Sequence, residues 1–187
     1  MTRAAALILS LIAAPLLAAC GLQPLYAGGT SGPVGTTLAS VSVAPIEGEA
    51  GWLVRGALRD RLRAAGEAED SRYRLVVRLD DQITGFGVRA DDSVTRERRT
   101  LRARWQLVDS SNGATLIDDT AGSDTGLDVV GSEYATIAAE RTALERLSEA
   151  VADQIIARVA VYARNRAAQP AASSPAANLP AANPTAQ

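Results

Sequence analysis

Tyr73-Arg74-Leu75-Val76-Val77-Arg78-Leu79 and Leu101-Arg102-Ala103-Arg104-Trp105-Gln106-Leu107 decide the fold. In each stretch large apolar residues occupy alternate positions. That is the period of a strand with one dry face. Ala90-Asp91-Asp92 lies between the two stretches and supplies a turn, so they read as arms of one long antiparallel hairpin. If residue 88 lies opposite residue 94, Leu75 faces Leu107, Val77 faces Trp105 and Leu79 faces Ala103. One side of the ribbon is then continuously apolar and must be covered. Gly85 and Gly87 coincide with a change of parity from Ile83 to Phe86 and Val88, which predicts a bulge or bend toward the tip.

Outward from the hairpin, Ser110-Ser111-Asn112-Gly113 predicts a second turn and Ala114 to Thr120 a further strand, followed by a connection rich in Gly and Asp. A long helix is predicted from Ser132 to Arg164. Its apolar seam is Ile137, Leu144, Leu147, Val151, Ile155, Val159 and Tyr162. On the amino-terminal side, Leu38, Val41, Val43 and Ile46 form a short strand-like run. A helix from Gly51 to Ala65 follows, with Val54, Leu58, Leu62 and Ala65 on one face and Gly66 as its stop. Arg55, Arg59 and Arg63 recur every four residues on another face, the ordinary pattern of a solvated helix surface. The predicted class is α+β: a two-layer, four-stranded, largely antiparallel sheet with two helices packed on one face.

The same register puts Arg72, Arg74, Arg78, Arg102 and Arg104 on the side away from the core, and Arg96 and Arg98 continue that parity toward the tip. Asp80 falls opposite Arg102, a favourable cross-strand pair. Arg78 falls opposite Arg104, a destabilising one that an anion would relieve. Two readings stay open. The face is either a solvated surface balanced by Asp80, Asp81, Asp109, Asp118 and Asp119, or a surface for phosphate, which the planar, permanently charged guanidinium suits.

Composition narrows the chemistry. The 187 residues carry 19 basic and 21 acidic side chains, net −2, with no His, no Lys and one Cys. The charge balance gives no reason to expect nucleic acid as a partner. Without His, and with no nucleophile motif, an enzyme is not expected. No cofactor or metal is expected either. The pairs Asp80-Asp81, Asp91-Asp92 and Asp118-Asp119 lack the spacing of a calcium loop, and Gly28 to Gly35 lacks the Lys of a phosphate-binding loop.

Residues 1–19 read as a secretory signal peptide: Arg3, then an apolar run from Ala4 to Leu17, too short for a membrane span. Leu17-Ala18-Ala19-Cys20 resembles a bacterial lipobox. That resemblance implies that the Cys20 thiol is acylated after cleavage before it, anchoring the chain by lipid. Gly21, in place of Asp, resembles the pattern of cargo bound for the outer membrane. Residues 20–37 then read as lipidated cysteine and flexible tether, 38–165 as a single domain, and 166–187 as a disordered Ala/Pro-rich tail.

Cys20-Gly21-Leu22-Gln23-Pro24-Leu25-Tyr26, with the following Val41-Ser42-Val43-Ala44-Pro45-Ile46, the Arg-rich helix, the hairpin and the last helix, resembles the LPS-assembly lipoprotein family, LptE, over roughly residues 20 to 165. The resemblance implies an α+β domain that plugs and helps assemble the outer-membrane translocon barrel LptD. It further implies that the domain binds lipopolysaccharide and helps deliver it to the cell surface from a lipid-anchored, periplasm-facing position. The Arg-rich face as its binding surface is an inference from the register. The competing expectation is an outer-membrane lipoprotein that acts as accessory to a cell-wall synthase or a lipid transporter.

Overall fold

A computed structural model describes residues 28–66, 70–88, 94–128 and 132–169. The signal peptide, Cys20, the turn at 90–92 and the tail from 170 lie outside the described residues. In order, the chain forms a 3-10 turn (Gly29–Ser31), α1 (Pro33–Ala39), β1 (Val41–Val43), α2 (Gly48–Ala65), β2 (Tyr73–Val88), β3 (Val94–Asp109), β4 (Thr115–Asp128) and α3 (Glu133–Ala168). The sheet order is β1-β2-β3-β4, with β1 parallel to β2 and the other pairs antiparallel. The α+β class is as expected, with one helix more than the sequence reading supplied.

The hairpin register follows from the alternation. Val88 pairs Val94, Leu75 pairs Leu107, Val77 pairs Trp105 and Leu79 pairs Ala103. Leu75, Leu101, Trp105 and Leu107 are at most 1% exposed, and each such burial contributes about 1.5–3 kcal/mol. Val54, Leu58 and Leu62 of α2 and Leu144, Val151, Ile155 and Val159 of α3 pack against them in one core. Gly66 ends α2 at φ 122°, a conformation that disfavours any side chain.

Five expectations need correction. The first concerns the tether, expected to reach residue 37: Pro33–Ala39 is helical, with Val34 and Leu38 in the core. Pro33 starts the helix, as proline can at the first helical position. Leu38 therefore ends a helix, and the strand is confined to Val41–Val43. Second, of the bulge or bend expected at Gly85 and Gly87, the bulge is absent. The β2/β3 register runs unshifted from Tyr73–Asp109 to Val88–Val94. Gly87 absorbs the irregularity at φ 79° without inserting a residue, and the register shift lies instead between Leu107 and Val108, against β4.

Third, the connection rich in Gly and Asp is strand: β4 continues to Asp128 because β3 offers a ladder of that length. Fourth, Ile137 is 57% exposed, and the buried residues of α3 begin only at Ala143. At the distal end the inner sheet face turns polar. There Arg99 holds Asp81 and donates to the Glu140 carbonyl, in place of an apolar contact with that part of the seam. α3 also runs on to Ala168, past the boundary drawn at 165. The fifth correction, to a cross-strand ion pair, belongs to the outer face.

Candidate anion-binding face

The pleat turns Arg74 and Arg78 of β2 and Arg96, Arg98, Arg102 and Arg104 of β3 away from the helices, and all six are exposed. Arg72 immediately precedes β2, at the base of the face. Its guanidinium carbon sits 5.4 Å from the ring centroid of Tyr73, a core residue. β4 adds a row of carboxylates to the same face, since Gln106 pairs Asp118, Thr100 pairs Asp124 and Arg96 pairs Asp128. The face is therefore graded, basic over β2 and β3 and acidic along β4.

The β4 carboxylates neutralise half of the arginines. Arg104 reaches Asp118 with Nε at 3.3 Å and Nη2 at 3.1 Å. Arg104, together with a 3.0 Å bond from Gln106, holds the Asp118 carboxyl below the usual carboxylate range. The same contact pushes the Arg104 guanidinium up. Arg96 meets Asp128 at 2.9 Å. Arg98 lies 3.6 Å from Asp124 and stacks over Phe86 at 5.6 Å. Asp118, not an external anion, relieves the Arg78–Arg104 juxtaposition.

The fifth correction concerns Arg102. Asp80 lies opposite it as expected, but both Asp80 oxygens accept from Gln82 Nε2, at 3.2 and 3.1 Å. On its other side Arg102 pairs Gly122, which has no side chain to offer. Among the described residues Arg74, Arg78 and Arg102 have no hydrogen-bond or ion-pair partner. Arg78, Arg102 and Arg104 border a shallow depression of about 590 Å³, with Thr100 and Thr120 also on its wall. Guanidinium and hydroxyl donors from three strands thus converge on a site open to solvent, whose wall also holds the carboxylates of Asp80 and Asp124.

Asp91-Asp92 lies outside the described residues, and the other two acidic pairs are split by the strands that carry them. The pleat sends their members to opposite faces, Asp81 to Arg99 and Asp119 to Arg158 at 3.6 Å. No cluster of three or more metal-ligating residues occurs among the described residues. No helix among them is long and apolar enough to cross a membrane.

Of the groups that set which arginines stay unneutralised, Asp118 is among the balancing carboxylates expected from sequence, whereas Gln82, Asp124 and Asp128 are not. Asp124 and Asp128 are hidden in the sequence because the stretch after Thr120 has little strand character of its own.

These features define a two-layer α+β domain with one sheet face covered by helices and the other open and charge-graded. The profile of the lipopolysaccharide-assembly family, LptE, matches residues 38–159, and the chain belongs to that family of outer-membrane-associated lipoproteins. Among solved structures, a chain from Caulobacter crescentus CB15 assigned as a lipoprotein is 28% identical, with a TM-score of 0.60 over 71% of this chain and 98% of that one. The rare lipoprotein B of Shewanella oneidensis is 14% identical, with a TM-score of 0.55 over 68% and 96%. A minor lipoprotein of Acinetobacter baumannii is 13% identical, with a TM-score of 0.51 over 68% and 93%; the last two likenesses concern the fold alone. No curated protein matches the chain.

Proposed function

We propose that this chain is an outer-membrane lipoprotein, acylated on Cys20 and held by lipid on the periplasmic side. It assembles and plugs an LptD-like β-barrel and helps pass lipopolysaccharide to the cell surface. Residues 1–19 are the signal peptide, the segment before α1 is the tether, and residues 170–187 are an uncharged tail. The observation that carries the ligand reading is the set Arg74, Arg78 and Arg102: exposed guanidinium groups on one face with no carboxylate of their own. Lipopolysaccharide supplies clustered phosphates, and a fixed guanidinium array competes for them with bridging divalent cations. Arg96, Arg98 and Arg104 carry β4 carboxylates and serve as a second rank that an incoming phosphate recruits by exchange; Arg72 lies at the base.

The test is lipopolysaccharide binding by the intact lipoprotein in detergent. The R78S/R102S double variant weakens binding severalfold and retains the wild-type thermal midpoint, whereas R96S, which removes an already neutralised cation, changes binding less. Equal binding by wild type and R78S/R102S removes this face from the reading. Barrel partnership is tested separately, by whether the tagged chain brings down a large β-barrel protein from outer membranes.

A further inference from the structure

The opposite edge of the sheet carries a second basic feature that the outer face does not use. β1 is an edge strand of three residues. Tyr73 N–H donates to the Ser40 carbonyl and Ala44 N–H to the Leu75 carbonyl, so residues 40, 42 and 44 turn their backbone toward β2. By the alternation of a parallel ladder, the N–H and C=O of Val41 and Val43 point away from the sheet, to a free edge. Beside that edge runs a groove of about 410 Å³ between β1 and α2. Arg55, Arg59 and Arg63 line it, and none of its lining residues is acidic.

Arg63 lies 3.7 Å from Asp60. Arg55 and Arg59 have no hydrogen-bond or ion-pair partner among the described residues, and the Arg55 Nε is buried without one. The spacing is informative. Arginines four apart on a helix recur every 6 Å or so. Same-face side chains of an extended chain recur every 6.6 Å or so. An extended segment beside β1 with carboxylates at alternate residues therefore keeps step with the arginines of α2 while its backbone meets Val41 and Val43.

We propose that the β1 edge and the Arg55–Arg59–Arg63 ladder of α2 together form a docking groove for an extended acidic segment of a protein partner, added to the sheet as a short fifth strand. Main-chain bonds to Val41 and Val43 set its position, and the arginines select carboxylates on alternate residues. Segments 20–27 and 170–187 of this chain carry no acidic side chain with which to fill it. Glu67, Glu69 and Asp70 fall in sequence between the groove residues Gly66 and Ser71.

The probe is a fluorescein-labelled heptapeptide, Thr-Glu-Val-Glu-Val-Glu-Thr, titrated by anisotropy into the full lipoprotein in detergent at low salt. Saturable binding is expected, with at least a tenfold loss in R55Q/R59Q, a smaller loss in R59Q alone and no change in R78S/R102S. N-methylation of the three central amides of the peptide abolishes binding. Removing two of the carboxylates that follow α2 in sequence, in E67Q/E69Q, leaves binding as tight or tighter. Because Arg55 is partly packed, R59Q, whose side chain is exposed, keeps the test independent of folding, and thermal midpoints are compared throughout. No saturable binding, binding indifferent to R55Q/R59Q and R59Q, binding that survives N-methylation, or weaker binding by E67Q/E69Q overturns the proposal. Absence of peptide binding together with an R59-dependent association with phosphatidylglycerol vesicles assigns the groove to a lipid surface and overturns it too.

Discussion

Arg102 and Asp80 stand directly opposite each other on β3 and β2 and do not form an ion pair, because Gln82, two residues along the same face of β2, donates to both carboxylate oxygens. Gln82 thereby keeps Arg102 open. Replacing it with Leu frees Asp80 to turn across the ladder, where an opposite-charge pair is worth about 0.2–1 kcal/mol. Q82L is therefore expected to bind lipopolysaccharide about two- to fivefold more weakly with its thermal midpoint nearly unchanged. Wild-type affinity in Q82L, measured beside R102S, removes Arg102 from the binding set.

Two glycines in helices should respond to alanine with opposite signs. A Cβ on Gly35 of α1 meets the Thr30 carbonyl oxygen at 2.5 Å and that of Gly29 at 2.6 Å, so backbone has to move. On Gly56 of α2 it meets nothing within 4 Å. G35A is expected to lower stability by about 1–3 kcal/mol, the usual range for overpacking. G56A should raise it by about 0.5–1 kcal/mol through helix propensity. Denaturant titration of the two variants checks the signs; a neutral G35A means α1 is loosely held.

Gly35 also shows where the sequence stopped being legible. The hairpin could be read to the exact pair because a period of two, anchored by a turn, leaves only one register with a dry face. A glycine, by contrast, marks either a flexible linker or a place where backbones touch, and local composition is the same for both. Only the 2.5 Å approach to Thr30 shows that Gly35 is the second kind. β4 was cut short for a related reason. Ala121 to Asp128 has little intrinsic strand character and is held in the sheet by the length of β3. The candidate face divides likewise. Parity showed which arginines share a side, whereas their neutralisation depended on Gln82, on the full extent of β4, and on Arg72 folding back over Tyr73.

The contact between α2 and α3 carries a pH dependence. Arg61 reaches Asp153 with both Nε and Nη2, the latter at 2.8 Å, and this bond holds the Asp153 carboxyl below the usual carboxylate range. A carboxyl depressed in the folded state stabilises fully above its unfolded value, near pH 4, and loses that contribution as pH falls through the folded value. Asp153 is 64% exposed at its side chain, so solvent limits the effect to about 1 kcal/mol or less. D153N should melt below wild type at pH 7, and the gap should close below about pH 3. A gap of equal size at both pH values shows that the charge is not its source.

Gln154 of α3 occupies the outer edge of β4 as a neighbouring strand would: its Nε2 donates to the Gly122 carbonyl at 3.0 Å and its Oε1 accepts from Gly122 N–H at 3.2 Å. Both backbone groups of Gly122 are thus turned away from β3, and by the antiparallel alternation those of residues 118, 120, 124, 126 and 128 turn the same way. Thr120 N–H is taken by Asp119 Oδ1 at 2.8 Å, so the middle of this long edge is closed at two consecutive outward positions. An open edge of that length is a template for pairing with another chain. Q154A removes both bonds at Gly122 and leaves the core untouched. It is expected to lose about 1–2 kcal/mol and to self-associate at concentrations where the wild type stays monomeric, as read by light scattering during size exclusion. Q154E keeps an acceptor for the N–H but repels the carbonyl, so it should fall between the two. If Q154A remains monomeric, the carboxylates of Asp124 and Asp128 are sufficient to keep the edge apart.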